Sequence, residues 1–184
     1  MSVQTRSQLQ ASALTITNET AAGANTAARV GGLFDDLADT ATLDRERGFA
    51  NLYLDEPKNF TPTQGQAVKL TTPLKSGLLS TYNFTRTTTA ITYTGTTGAA
   101  LRIAASMVLA QNNNTQIKVY IAKNGTTIDQ SMTDITTTHT NGHAIYTEAY
   151  VTGAVNDEFT IYINAVDSAA AITISALSFT VHTL

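Results

Sequence analysis

The side chains that could do chemistry in this sequence are His139, His143 and His182, the adjacent carboxylates Asp157 and Glu158, and Glu148. Two histidines four residues apart would share a helix face and could hold zinc. The stretch between these two, HTNGH, contains Asn141 and Gly142 and reads as a loop, so the pair has no common face. Paired carboxylates could divide acid and base roles in glycoside hydrolysis, but only when they face each other across a bound sugar. Asp157 and Glu158 instead follow Asn156 in GAVNDEF, where Asn and Asp hydrogen-bond their own backbone and set a turn. The sequence therefore assigns no catalytic residue, no cofactor-binding residue and no metal ligand, and the chain is not read as an enzyme. No G-x-S-x-G, P-loop or Rossmann glycine pattern is present, and Gly23, Gly31, Gly32, Gly95 and Gly98 fit hinges and turns. The N-x-Thr sequons beginning at Asn18, Asn59, Asn83, Asn113 and Asn124 are what a Thr-rich sequence produces by chance, and no role is assigned to them.

The elements that position these residues follow from composition. A chain of 184 residues with 42% hydrophobic content can bury one core and carry an appendage beside it. Charged residues make up only 14%, prolines number three, and threonines run together at 87–89 and 136–138, all of which favours strands. A net charge of −3 leaves no basic footprint for nucleic acid. Without cysteine there is neither a disulfide framework nor a thiolate metal site. MSVQTRSQLQASALTI lacks the apolar run of a signal peptide, and no stretch reaches the roughly 18–20 apolar residues of a membrane span, so the expectation is a soluble product made in the cytoplasm.

Residues 1–47 differ from the rest, with helix formers, Ala and many of the acidic residues collected there, and a boundary is expected near Gly48. Val30, Leu33, Phe34 and Leu37 recur at i, i+3, i+4 and i+7, which predicts a helix near 26–40 capped by Asn25 or Thr26. Gly31 and Gly32 would cost an isolated helix about 2 kcal/mol relative to alanine, which suggests close approach to a neighbouring backbone. Asp35, Asp36 and Asp39 lie toward its C-terminal end, where the macrodipole disfavours anions, so an external cation or a longer helix running to Arg45 and Arg47 would relieve them. The segment reads as a docking or oligomerising element, the alternative being an amphipathic helix folded back on its own domain.

From about Ala50 the pattern is that of a sandwich or barrel, with roughly eight to ten short strands separated by turns and no helix between them. Leu101, Ile103, Ala105, Met107 and Leu109 alternate onto one face, as do Ile117, Val119 and Ile121, and Phe159, Ile161 and Ile163; Ile145, Thr147, Ala149 and Val151 form a further candidate face. In VYIAKNGTTI, Asn124 and Gly125 interrupt the alternation as a type I′ hairpin turn does. The last strand changes phase between Ile172, Ile174, Ala176 and Leu177, Phe179, Val181, and one extra residue near Ser175 to Leu177, a β-bulge, would keep both sets inward.

The order ITYTG, LRIAASMVLA, QNNNTQ, VYIAKNGTTI and NDEFTIYINAVDSAAAITI resembles the C-terminal C1q/TNF-like jelly-roll domains of bacteriophage fibre and other virion proteins, over about residues 50–184. Separately, ITNETAAGANTAARVGGLFDDL is similar to an N-terminal segment that recurs in phage virion and tail-fibre proteins, often of Bacteroidetes hosts. The resemblance implies a mainly β, antiparallel two-sheet jelly roll at 48–184, preceded by a short helical anchor at 1–47, and a homotrimer. It implies a fibre or spike protein on the virion surface, anchored by its N-terminus to other virion proteins, with the knob exposed for attachment to a host surface glycan or receptor. The alternative is a capsid decoration or cement protein that touches no receptor. Tyr82, Tyr93, Tyr120, Tyr146, Tyr150 and Tyr162 could lie between protomers or cover sheet faces, and the loops Gln111–Thr115 and Ile135–His143 are expected to be exposed and to recognise the host.

Overall fold

The structure is a computed structural model that describes residues 48–184 except 80–82, 96, 112–113 and 138–141; the helix expected near 26–40 and the anchor at 1–47 lie outside the described residues. Alternation is the organising signal. In β7 (Ala100–Ala110), Leu101, Ile103, Ala105, Met107 and Leu109 are buried, while Arg102, Ser106 and Val108 point the other way. The same alternation holds in β8 (Thr115–Lys123) and β12 (Glu158–Ala165), whose Ile117, Val119, Ile121, Phe159, Ile161 and Ile163 fill the same core from the opposite side.

Two antiparallel sheets result. Sheet A runs β11 (His143–Thr152), β7, β13 (Ile172–Thr183), β1 (Phe49–Tyr53), β4 (Lys75–Leu79), with β2 (Lys58–Phe60) also paired to β13. Sheet B runs β10 (Thr133–Thr137), β8, β12, β6 (Ile91–Tyr93), β5 (Phe84–Arg86), with β3 (Val68–Lys69) on β12 and β9 (Thr126–Thr127) on β8. The chain passes from sheet to sheet at β2–β3, β3–β4, β4–β5, β6–β7, β7–β8, β10–β11, β11–β12 and β12–β13, which is how a jelly roll encloses one core between two layers. Among the described residues the strands number thirteen, more than the eight to ten expected, because β2, β3 and β9 are only three, two and two residues long. Such segments are too short to show a period and are held by the long strand beside them.

The bulge falls within the expected stretch: Ile174 faces Leu109 and Ala176 faces Val108, so Ser175 is the extra residue, and Ala176, expected inward with Ile174, points outward. Beyond it Leu177, Phe179 and Val181 return to the core. Asn124 and Gly125 have φ of 52° and 80°, the left-handed pair that a type I′ turn requires. The returning strand is shorter than the sequence suggested, and a 3₁₀ turn at Asp129–Ser131 follows it, against the expectation of no helix. Ser131 explains the exchange: its hydroxyl oxygen accepts from the Ile121 N–H at 2.8 Å, filling the place of a ladder partner. At the start of the sandwich a side chain on Gly48 would lie 2.8 Å from the Phe84 ring, so β1 enters against β5 only without one. Among the described residues no helix is long and apolar enough to cross a membrane.

Candidate functional site

Of the residues with catalytic chemistry, Asp157 is the most enclosed, and its partners are those of a structural clamp. Its carboxylate accepts from the Ala154 N–H at 2.6 Å, from Asn124 Nδ2 at 2.7 Å and from Lys123 Nζ at 2.7 Å. Burial pushes this carboxyl upward, but the hydrogen bonds from Lys123, Ala154 and Asn124 outweigh burial and hold it below the usual carboxylate range. Asn124 also accepts from the Glu158 N–H at 2.8 Å, so the hairpin turn and the turn before β12 are locked together. Glu158 itself pairs with Lys69 at 2.9 Å. The two neighbouring carboxylates thus point to different cations.

Glu148 belongs to a second cluster, on the outward face of sheet A. β11 lies on β7 in a register that sets Glu148 opposite Ala104 and Tyr150 opposite Arg102. Arg102 donates to Glu148 through Nε at 3.2 Å and Nη2 at 3.0 Å, and to the Tyr146 hydroxyl at 2.8 Å; that hydroxyl donates to Glu148 at 2.7 Å. The Tyr146 and Arg102 hydrogen bonds hold the Glu148 carboxyl below its ordinary value. Arg102 also stands opposite His182 in the β7–β13 ladder, and His182 packs on Phe49 with ring centroids 4.6 Å apart. Burial, with a smaller contribution from the Arg102 charge, lowers the affinity of His182 for a proton. His143 Nε2 is buried without a hydrogen-bond partner, and His139 lies outside the described residues. Among the described residues no three His, Asp or Glu side chains are grouped as a metal site would need.

The expected recognition loops are less exposed than the sequence suggested. Gln111, Thr115 and Thr137 at their roots are buried: Gln111 Nε2 donates to the Ala170 carbonyl at 2.5 Å, and the Thr137 hydroxyl to the Thr115 carbonyl at 3.2 Å. Ile135–Thr137 belong to β10 and His143 begins β11, while residues 138–141 lie outside the described residues.

The tyrosines separate onto different surfaces. Tyr93 is a core residue, its ring tilted against Phe84 with centroids 5.4 Å apart and 1% exposed, which corrects the expectation that it could lie between protomers. Tyr82 lies outside the described residues. Tyr120 and Tyr162 are half-buried on the outward face of sheet B. Tyr146 and Tyr150, 49% and 61% exposed, stand on the outward face of sheet A. There a shallow groove of about 430 Å³ is lined by Leu54, Ser106, Val108, Tyr146, Ala176 and Ser178. Sequence reasoning found the tyrosines but not their faces, because the sheet to which a strand belongs is decided by pairing across the chain.

No protein-family model and no curated protein sequence matches this chain. Solved structures do. The chain is similar to murine APRIL at pH 5.0, with a TM-score of 0.51, 11% identity, and 76% of this chain and 100% of that one covered. It is similar to the globular domain of zebrafish complement 1qA, at TM-score 0.50 and 9% identity over 76% and 98% of the two chains. It is also similar to vertex protein P5 of phage PRD1, at TM-score 0.50 and 9% identity over 75% and 97%. At such identities the likeness is one of fold: residues 48–184 form a C1q/TNF-like jelly roll.

Proposed function

We propose that this chain is a trimeric, non-enzymatic structural protein of a bacteriophage virion, a fibre or spike. Residues 1–47 anchor it to other virion proteins, and the jelly roll projects from the particle surface for host-cell attachment. The observation that carries this reading is the outward face of sheet A: a jelly roll whose fold a phage vertex protein shares presents there two exposed tyrosines, a ring pair and an apolar groove. Exposed aromatic rings beside a groove are the make-up of an association surface, since they bury area while their hydroxyls keep polar partners. The Arg102, Glu148 and Tyr146 triad satisfies its own charges, so it can enter an interface without an unpaired ion. Three copies around one axis would present three recognition surfaces, and weak contacts would add through geometry.

The test is competition for adsorption. Purified full-length protein, added to host cells ahead of the phage that carries it, is expected to slow phage adsorption in a concentration-dependent way. Unaltered adsorption, together with particles that fall apart when the protein is absent, would overturn attachment in favour of a cement role.

A further inference from the structure

Asn124 and Gly125, which make the hairpin turn, are also a chemically labile pair, because glycine has no side chain to shield its backbone nitrogen from the amide before it. Once that nitrogen gives up its proton to hydroxide, it can attack the asparagine Cγ. The Cγ–Nδ2 bond breaks, ammonia leaves, and a cyclic imide remains. Water then opens the imide at either carbonyl, giving aspartate, or isoaspartate with an extra methylene in the main chain. Asn124 and Gly125 are exposed, so water and hydroxide reach them.

The fold keeps the reacting atoms apart in two ways. Asn124 has φ of 52°, and a type I′ turn pairs such a φ with a ψ of about +30°. At that ψ the Gly125 nitrogen lies nearly opposite Cβ across the Cα–C bond, whereas ring closure requires the two to be eclipsed. The side chain is also tied to the turn before β12. Nδ2 donates to Asp157 Oδ1 at 2.7 Å, Oδ1 accepts from the Glu158 N–H at 2.8 Å, and the Asn124 N–H donates to the Glu158 carbonyl at 2.8 Å. The bond from Glu158 polarises the amide carbonyl and by itself would favour attack, but polarisation does not help a nucleophile that cannot reach its carbon. Attack therefore waits for a local opening that releases the turn and the Asp157 bond together.

We propose that Asn124 is a spontaneous deamidation site that the Asp157 clamp holds closed, and that the modification, once made, releases the clamp irreversibly. Aspartate at position 124 would set a carboxylate against Asp157 where a donor now stands, leaving Lys123 Nζ, which also donates to the Thr152 carbonyl at 2.9 Å, to balance both charges. Isoaspartate would lengthen the turn and break the pairing of Lys123 with Thr126. Either product removes the Nδ2 donor that joins the hairpin to β12.

The test follows the full chain in mildly alkaline buffer by fragmentation mass spectrometry that resolves Asn124 from Asn141, which also precedes a glycine. The folded wild-type chain is expected to deamidate at Asn124 at least about tenfold more slowly than the same chain in urea beyond its unfolding midpoint, and folded Asp157→Ala to lose about tenfold of that protection. Asp157→Ser, whose hydroxyl can still accept from the Ala154 N–H but is too short to reach Asn124, gives the same readout should Asp157→Ala fail to fold. Equal rates at Asn124 in the folded and unfolded wild-type chain would overturn the closed site. A folded clamp variant that deamidates at the wild-type rate would overturn the part given to Asp157. Asn124→Asp, which carries the product's carboxylate, is expected to raise the unfolding equilibrium constant about tenfold, and an unchanged constant would overturn the release of the clamp.

Discussion

Asp157 Oδ1 accepts a 2.7 Å hydrogen bond from Asn124 Nδ2, joining two turns that are 33 residues apart in the chain. Each partner is held again from the other side, since Ala154 and Lys123 donate to Asp157 and Glu158 donates to Asn124. Asp157→Ala would leave the Ala154 N–H without its acceptor and the Lys123 ammonium with only the Thr152 carbonyl, and a loss of about 1–3 kcal/mol is expected in urea unfolding. Because the folded-state pKa of Asp157 is depressed, its contribution is fully present above the unfolded carboxylate value of about 3.9 and disappears as pH falls through the folded value. The gap in stability between the wild-type chain and Asp157→Ala should therefore narrow in acid below about pH 4.

Ser175 is the one residue of β13 that the β7 ladder skips. Ile174 and Leu177 both face inward with two residues between them, so deleting Ser175 would restore strict alternation and keep Leu177, Phe179 and Val181 buried in the same register with β7. The deletion variant should keep a cooperative thermal transition and Ser175→Ala should stay within about 1 kcal/mol of the wild-type chain, whereas one alanine inserted between Leu177 and Ser178, which turns Phe179 and Val181 outward, should abolish that transition. An insertion variant that melts like the wild type would show that the register beyond the bulge is not fixed by this alternation.

His182 has a folded-state pKa below its unfolded value of about 6.5, from burial and from the Arg102 charge. For a base shifted downward, the unfolded chain binds the extra proton first. Stability from this group is thus complete above the unfolded value and lost as pH falls toward the folded one. The melting temperature should decline between pH 7 and pH 5, and His182→Phe, which keeps a ring against Phe49, should flatten that part of the profile. An unchanged slope in His182→Phe would assign the decline to other groups.

Much of this fold was legible because its long strands repeat with a period of two. Leu101 to Leu109, Ile117 to Ile121 and Phe159 to Ile163 each declare a buried face, Asn124 and Gly125 declare a turn, and the phase change after Ile174 declares a bulge. What could not be read depends on partners far away in the chain. Arg102 meets Glu148 across 46 residues because β11 lies on β7 in one register, and nothing near either residue specifies that register. The tyrosines show the same limit. Tyr93 and Tyr150 are alike as residues in β-rich sequence, yet one fills the core and the other is exposed, since only the stacking of the two sheets decides which side is inside. The roots of the 111–115 loop looked exposed because they are polar. Their hydrogen bonds to Ala170 and across Thr115 and Thr137 bury them instead.

The most direct test of the central claim, association through the outward face of sheet A, is the solution mass of the full chain by light scattering across a dilution series, alongside Tyr150→Asp. The account predicts three times the 19.5 kDa of one chain for the wild type and a shift toward a single chain for Tyr150→Asp, which places a charge in the interface. A wild-type chain that stays monomeric at every concentration, or a trimer that Tyr150→Asp leaves untouched, would contradict it.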